Sequence, residues 1–166
     1  MLTDYVQTLY AHAAWGNRRV LDSAARLTDT LLLAERLGGV ESVQHTLIHI
    51  LNAQRTWIAR AQLQVAPADL HVEQLSTVSL LREVWNDVDT VTQDFVMSLD
   101  EHSLGQIVRY LNPEEQPQAY PRWQVLVHQA MHAAQHRSEV ALVLTQLGYS
   151  PGWLDFLFYL DMQDGP

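Results

Sequence analysis

The sequence predicts an all-α fold, a four-helix bundle with a long crossover connection and a short C-terminal helix. Four stretches repeat apolar residues three and four apart, the period of a helix with one buried face. Punctuating residues, among them Gly38-Gly39, Pro67, Asn112-Pro113 and Gly148, separate these stretches. The chain of 166 residues is 48% apolar and 17% charged, enough to build one core, so residues 1–166 are expected to form a single domain.

In the first stretch, from Asp4 to about Leu27, the apolar positions are Val6, Leu9, Ala13, Val20, Ala24 and Leu27, with Thr3 or Asp4 as N-cap. Thr28 to Glu41 loses the rhythm and reads as a connection with room for a helical turn around Leu31 to Arg36. Ser42 caps the second helix, in which Val43, Leu47, Ile50, Leu51, Trp57, Ile58 and Ala61 carry the apolar band toward Val65. Ser76 or Thr77 opens the third, with Val78, Leu81, Val84, Trp85, Val88, Val91, Phe95 and Leu99 inside and Glu83, Asp87 and Asp94 outside. Between Gly105 and Pro121, Ile107, Val108, Tyr110 and Leu111 precede three prolines, which suits a short strand or an ordered loop. The fourth helix runs from Arg122 to about Leu147 and ends at Gly148 as C-cap. A short aromatic helix around Trp153 to Leu160 follows, and its Trp153, Phe156, Leu157 and Phe158 are expected to pack on the core rather than form a partner surface.

Charge and missing residue types narrow the chemistry. Nineteen acidic against ten basic residues leave a net charge of -9, the wrong sign for a phosphate-neutralising surface, so no nucleic-acid partner is expected. All ten basic residues are arginines, which excludes Schiff-base chemistry and a P-loop lysine. Cysteine is absent, which removes disulfides, thiolate zinc sites and a cysteine nucleophile; any thiol would come with the substrate. No secretory signal and no membrane span is read in the sequence, so a cytoplasmic protein without a membrane partner is expected.

The eight histidines are the informative polar residues. His45 and His49 stand one turn apart on the second helix, and His128, His132 and His136 stand at successive turns on the fourth. Residues at i and i+4 share a helix face with Cβ atoms about 6 Å apart, close enough for two imidazoles to meet at one ion. All three on the fourth helix cannot do so, because His128 and His136 are about 12 Å apart along the axis. One adjacent pair with a ligand from the second helix makes a site, and spacing does not say which. His12, His71 and His102 lie in less organised surroundings and read as solvent-facing or capping residues.

Thr46-Leu47-Ile48-His49-Ile50-Leu51-Asn52-Ala53-Gln54-Arg55-Thr56-Trp57 and His128-Gln129-Ala130-Met131-His132-Ala133-Ala134-Gln135-His136-Arg137 resemble the two signature regions of the DinB-like superfamily. The opening helix with Trp15, Asn17 and Leu21, and the ending from Leu147-Gly148-Tyr149 through Asp155-Phe156 to Tyr159-Leu160, are similar to it as well. The resemblance implies a four-helix bundle, a divalent metal, commonly nickel or zinc, held by three histidines, and often a homodimer. Carried over by position, the metal ligands are His49, His132 and His136. The chain departs from the family's pattern at Met131, where Asn is common before the first paired histidine, and at Ser138 and Glu139, where Gly-Gln is common. These departures bear on the hydrogen bonds around the ligands and on the substrate. Arg137 is read as a structural ion-pair partner rather than an anion contact, and Trp15 and Trp57 as core residues.

Three imidazoles leave an ion its charge and an open coordination position, the pattern of catalytic sites. Water bound there is acidified toward a pKa of about 7, and a bound thiol loses its proton. No HExxH motif supplies a general base, and Glu139 is the nearest carboxylate. The sequence thus points to a metal-dependent hydrolase, or a transferase using a low-molecular-weight thiol, acting on a small molecule. The alternative is a non-catalytic dimeric stress-response or binding protein with a structural or vestigial metal site.

Overall fold

The structure, a computed structural model, describes residues 1–34 and 42–164. The Gly38-Gly39 connection lies outside the described residues. Most of the described chain is helical: α1 (Leu2–Ala24), α2 (Asp29–Leu33), α3 (Val43–Ala61), α4 (Val78–Met97) and α5 (Glu101–Gly105) precede a hairpin of β1 (Ile107–Leu111) and β2 (Pro117–Pro121), and α6 (Arg122–Gln146) and α7 (Phe156–Asp164) follow it. The long helices α1 and α3 each pack against both α4 and α6. No described helix is long and apolar enough to cross a membrane.

Local chemistry explains the helix starts. Ser42 Oγ accepts from His45 N–H at 3.2 Å, and Thr77 Oγ1 from Leu80 N–H at 3.2 Å, each satisfying a donor with no partner inside its helix. α1 differs from expectation. It begins at Leu2, so Thr3 and Asp4 lie inside its first turn, and the carboxylate of Glu101 in α5 accepts from Leu2 N–H at 2.9 Å instead. At the end of α6, Gly148 takes a φ of 83°, and Tyr149 N–H donates back to Leu144 O at 2.8 Å.

The stretch after α4, expected as a short strand or an ordered loop, adds a small sheet to the mostly helical chain. It holds an antiparallel pair registered from Ile107↔Pro121 to Leu111↔Pro117. Its turn is closed by Asn112 Oδ1, which accepts from Gln116 N–H at 2.8 Å, while the fully buried Val108 anchors β1 to the core. Arg122 then ties this connection to α3: its Nε donates to Ala61 O at 2.8 Å and its Nη1 to Ser103 O at 2.7 Å, covering carbonyls that helix ends leave open.

Two apolar clusters form the core. One gathers Val20, Leu21, Leu47, Ile50, Leu51, Leu81, Trp85 and Leu144. The other gathers Val6, Tyr10, Ile58, Val96, Leu104 and Leu126. Where α1, α3 and α4 pass between them, polar side chains meet: Gln54 accepts from Trp85 Nε1–H at 3.0 Å and donates to Asp89 Oδ1 at 2.8 Å and Thr92 Oγ1 at 3.1 Å. Arg137 is buried as expected, but in place of the expected ion pair it donates to the neutral Asn17, whose Oδ1 accepts at 2.9 Å. Its guanidinium runs so close to α1 that a Cβ at Gly16 would come within 2.8 Å of Nε.

Two expectations fail where the chain's last segment returns to α1. His12 is neither solvent-facing nor a cap. It is 8% exposed, its Nε2 donates to Leu154 O at 2.9 Å, and its ring meets Phe156 at 5.2 Å and Tyr159 at 5.5 Å. Of the four aromatic and apolar residues expected to pack there, Phe156 does so, but Trp153, which precedes α7, is 70% exposed, and Leu157 and Phe158 in α7 are 71% and 37% exposed and do not join the core. A short helix lying on the surface of a neighbour buries one face and leaves the other in water.

Candidate metal centre

α3 and α6 run side by side, and their polar interruptions meet at the surface between them. The structure brings His49 from α3 together with His132 and His136 from α6, with one ligand atom from each lying within 4.8 Å of the others. The Nε2 atoms of His49 and His132 are 3.1 Å apart. Two nitrogens bound about 2.0–2.1 Å from one ion at the tetrahedral angle stand about 3.3 Å apart, so this separation suits a shared ion. The rings stand edge to face, with centroids at 4.7 Å for His49 and His136 and 4.5 Å for His132 and His136.

Burial differs among the three. His49 is exposed, while His132 and His136 are half-buried, so the cluster opens to solvent on the α3 side. Burial pushes the pKa of His132 down to about 4, helped by the neighbouring His136, His49 and His128. At neutral pH its ring is uncharged and free to donate a lone pair, which is what a metal requires of it.

Glu139 takes a different place from that of a general base. Its Oε2 is 2.6 Å from His136 Nδ1, so Nδ1–H donates to the carboxylate and Nε2 is left as the ligand atom of His136. A carboxylate behind a ligating imidazole fixes the tautomer and orientation and raises ligand basicity. Glu139 lies one turn beyond His136, and that i,i+3 spacing was the available signal in the sequence.

The remaining histidines of the two helices fall outside the cluster. His45 is exposed, with Nδ1 2.8 Å from Ser42 Oγ at the start of α3. His128 stacks on His132 at 6.1 Å with an interplanar angle of 24° and meets Trp57 edge to face at 4.6 Å. Trp57 is thus half-buried, packed against the edge of the core and against His128, whereas Trp15 is 9% exposed, as expected of core.

The titration of His132 has a consequence for stability. In the unfolded chain a histidine takes up its proton near pH 6.5, in the folded chain His132 does so near 4, so between these values the unfolded state binds more protons. The stability contributed is present above pH 6.5 and lost as the pH falls toward 4. His12, its pKa also lowered by burial against the opposing pull of the Leu154 carbonyl, acts in the same direction. The metal-free protein should lose about 1–2 kcal/mol between pH 7 and 4.5, the range reflecting solvent screening of partly exposed rings. Urea midpoints across that range test it: His132→Asn should flatten the slope, and a slope equally steep in the variant would remove His132 as its source.

The model of the DinB family matches residues 1–166. The chain belongs to the DinB family. Among its DinB-family relatives, Protein DinB of Bacillus subtilis (strain 168) is 22% identical over 166 residues, which cover 97% of this chain and 96% of that protein. A second protein of the same organism, named Uncharacterized protein YizA, is 27% identical over 134 residues, 80% of this chain and 81% of its own. The three-histidine cluster therefore sits in a DinB-family chain matched from end to end.

Proposed function

We propose that this DinB-family protein is a metal-dependent enzyme, a hydrolase or a transferase using a low-molecular-weight thiol, that works on a small molecule at a divalent ion, nickel or zinc. The observation that carries this reading is the convergence of His49, His132 and His136 on one point at an opening to solvent. A structural site closes its fourth position with protein, whereas three ligands beside solvent leave room for a reactant. When bound, the ion supplies Lewis acidity and deprotonates a coordinated water or thiol. The chain's own residues do the rest: Glu139 holds His136 in one tautomer, and α3 and α6 hold the imidazoles in register.

The same reading takes the four long helices as a bundle in a single domain, supported by the packing of α1 and α3 against both α4 and α6. It includes a homodimer and a cytoplasmic location. Nucleic acid is not among the partners, because a net charge of -9 repels phosphate.

A second reading rests on one distance. The 3.1 Å between His49 and His132 also fits a hydrogen bond between two imidazoles, as in a binding protein with a vestigial site. Turnover separates the two. Tag-free protein loaded with nickel or zinc should conjugate a low-molecular-weight thiol to an electrophile or hydrolyse an activated ester. The rate should fall about 100-fold or more in His136→Ala. Metal-loaded protein inactive in both assays would favour the binding protein.

A further inference from the structure

Beside the histidine cluster lies a cavity of about 490 Å³, lined by Trp57 of α3, Tyr110 and Tyr120 of the hairpin, and Gln124, Val125 and His128 of α6. Its walls form a continuous series of rings. Tyr120 meets Tyr110 at 6.3 Å, Tyr110 meets Trp57 edge to face at 5.3 Å, and Trp57 meets His128 at 4.6 Å. His128 in turn stacks on His132, so one imidazole is the wall shared by the cavity and the cluster. The guanidinium of Arg60 lies over both the Trp57 and Tyr110 rings, at 4.6 and 4.4 Å, and braces the pair.

The lining has no carboxylate and no guanidinium, and its polar groups are the Gln124 amide, the Tyr110 and Tyr120 hydroxyls and the His128 ring. A cationic occupant would leave water without a counter-charge from the lining, and the nearby Arg60 guanidinium is held over the outer rings rather than in the lining. An aromatic occupant would gain edge-to-face and offset contacts beyond simple burial. The volume lies within the range of small-molecule sites.

We propose that this cavity seats a neutral, planar aromatic group of the substrate, placing the atom that reacts next to the three-histidine centre across His128. The proposal rests on the metal-site reading above for its chemistry, and on the cavity alone for its ring specificity. Tyr110, Tyr120 and Trp57 then act as specificity residues, and the β-hairpin exists to deliver the first two.

Two hydroxamates that differ in a single group test it on zinc-loaded protein. Benzohydroxamate should bind about tenfold or more tightly than acetohydroxamate by calorimetry, and more tightly than the cyclohexyl analogue. Gln124→Trp, at an exposed helical position, fills the cavity and should cut that gain to about threefold or less, with acetohydroxamate binding unchanged. Tyr110→Ala should act alike. Equal affinity of the two hydroxamates, or a gain that survives Gln124→Trp, overturns the proposal. A second arm needs no metal: benzamide, followed by saturation-transfer NMR, should contact the metal-free protein and lose that contact in Gln124→Trp. Lack of contact with the unsubstituted protein overturns the proposal. Protein that takes up no zinc refutes the metal reading, and the benzamide arm then decides the cavity by itself.

Discussion

Tag-free His132→Ala protein, purified without added metal, should carry no nickel or zinc, and His49→Ala should match it, while His128→Ala retains the ion in near-stoichiometric amount. The difference follows from geometry. His132 and His49 meet with nitrogens 3.1 Å apart, whereas His128 stacks on His132 by its face, an arrangement that directs no lone pair of His128 at the cluster. Loss of an ion that binds only the folded chain also removes stability by linkage, about 2.7 kcal/mol when free metal stands at a hundred times its dissociation constant. For a chain of this size that corresponds to a melting temperature lower by about 5–10 °C. A strong chelator should lower the melting point of the unsubstituted protein by the same amount and leave His132→Ala unmoved. Elemental analysis and thermal melts read both effects. Metal retained in His132→Ala but lost in His128→Ala would shift the ligand pair by one helical turn.

Arg137→Ala should be the most destabilising single change in the buried polar layer, about 2–3 kcal/mol, or a melting point lower by about 4–12 °C. Arg137 is 3% exposed, its charge answered by Asn17 Oδ1 at 2.9 Å and by the nearby Asp89. Burial pulls its pKa down to about 10, against the opposite pull of Asp89, so it remains a cation at neutral pH. Removing it strands the Asn17 acceptor and takes from Asp89, a carboxyl whose own pKa burial already raises, one of its two neighbouring cations, leaving Arg18. Arg137→Met fills more of the volume and should recover part of the loss. Metal content per folded molecule should be unchanged in both, which separates this role from one at the metal centre. A melting point within about 2 °C of the parent would mean that the layer bears no such charge cost.

Much of this molecule was legible in its residues. The apolar repeats of α1, α3, α4 and α6 locate all four long helices, because a helix with one buried face must place apolar groups three and four apart. Ser42 and Thr77 mark two starts because a short polar side chain at that position reaches back to accept from an open N–H group. The histidine spacing limits any ion to one adjacent pair on α6 with a partner on α3, and the resemblance to DinB-like chains singles out His49, His132 and His136. Those are the three that the structure brings together.

Other features had no local signature. That Glu101 answers the first N–H groups of α1, that His12 is buried under the returning segment, and that Val108 anchors a hairpin are contacts between residues far apart in the chain. Trp57 shows the limit most plainly. Its place in the apolar band of α3 marks it as core, yet it stands at the wall of a cavity, because the hairpin crosses α3 there and sets Tyr110 against it. Periodicity reports which face of a helix is apolar, since that depends on spacing along a single element. Whether that face meets a packed neighbour or the wall of a cavity is decided by what the rest of the chain brings opposite it, and only the tertiary structure determines that.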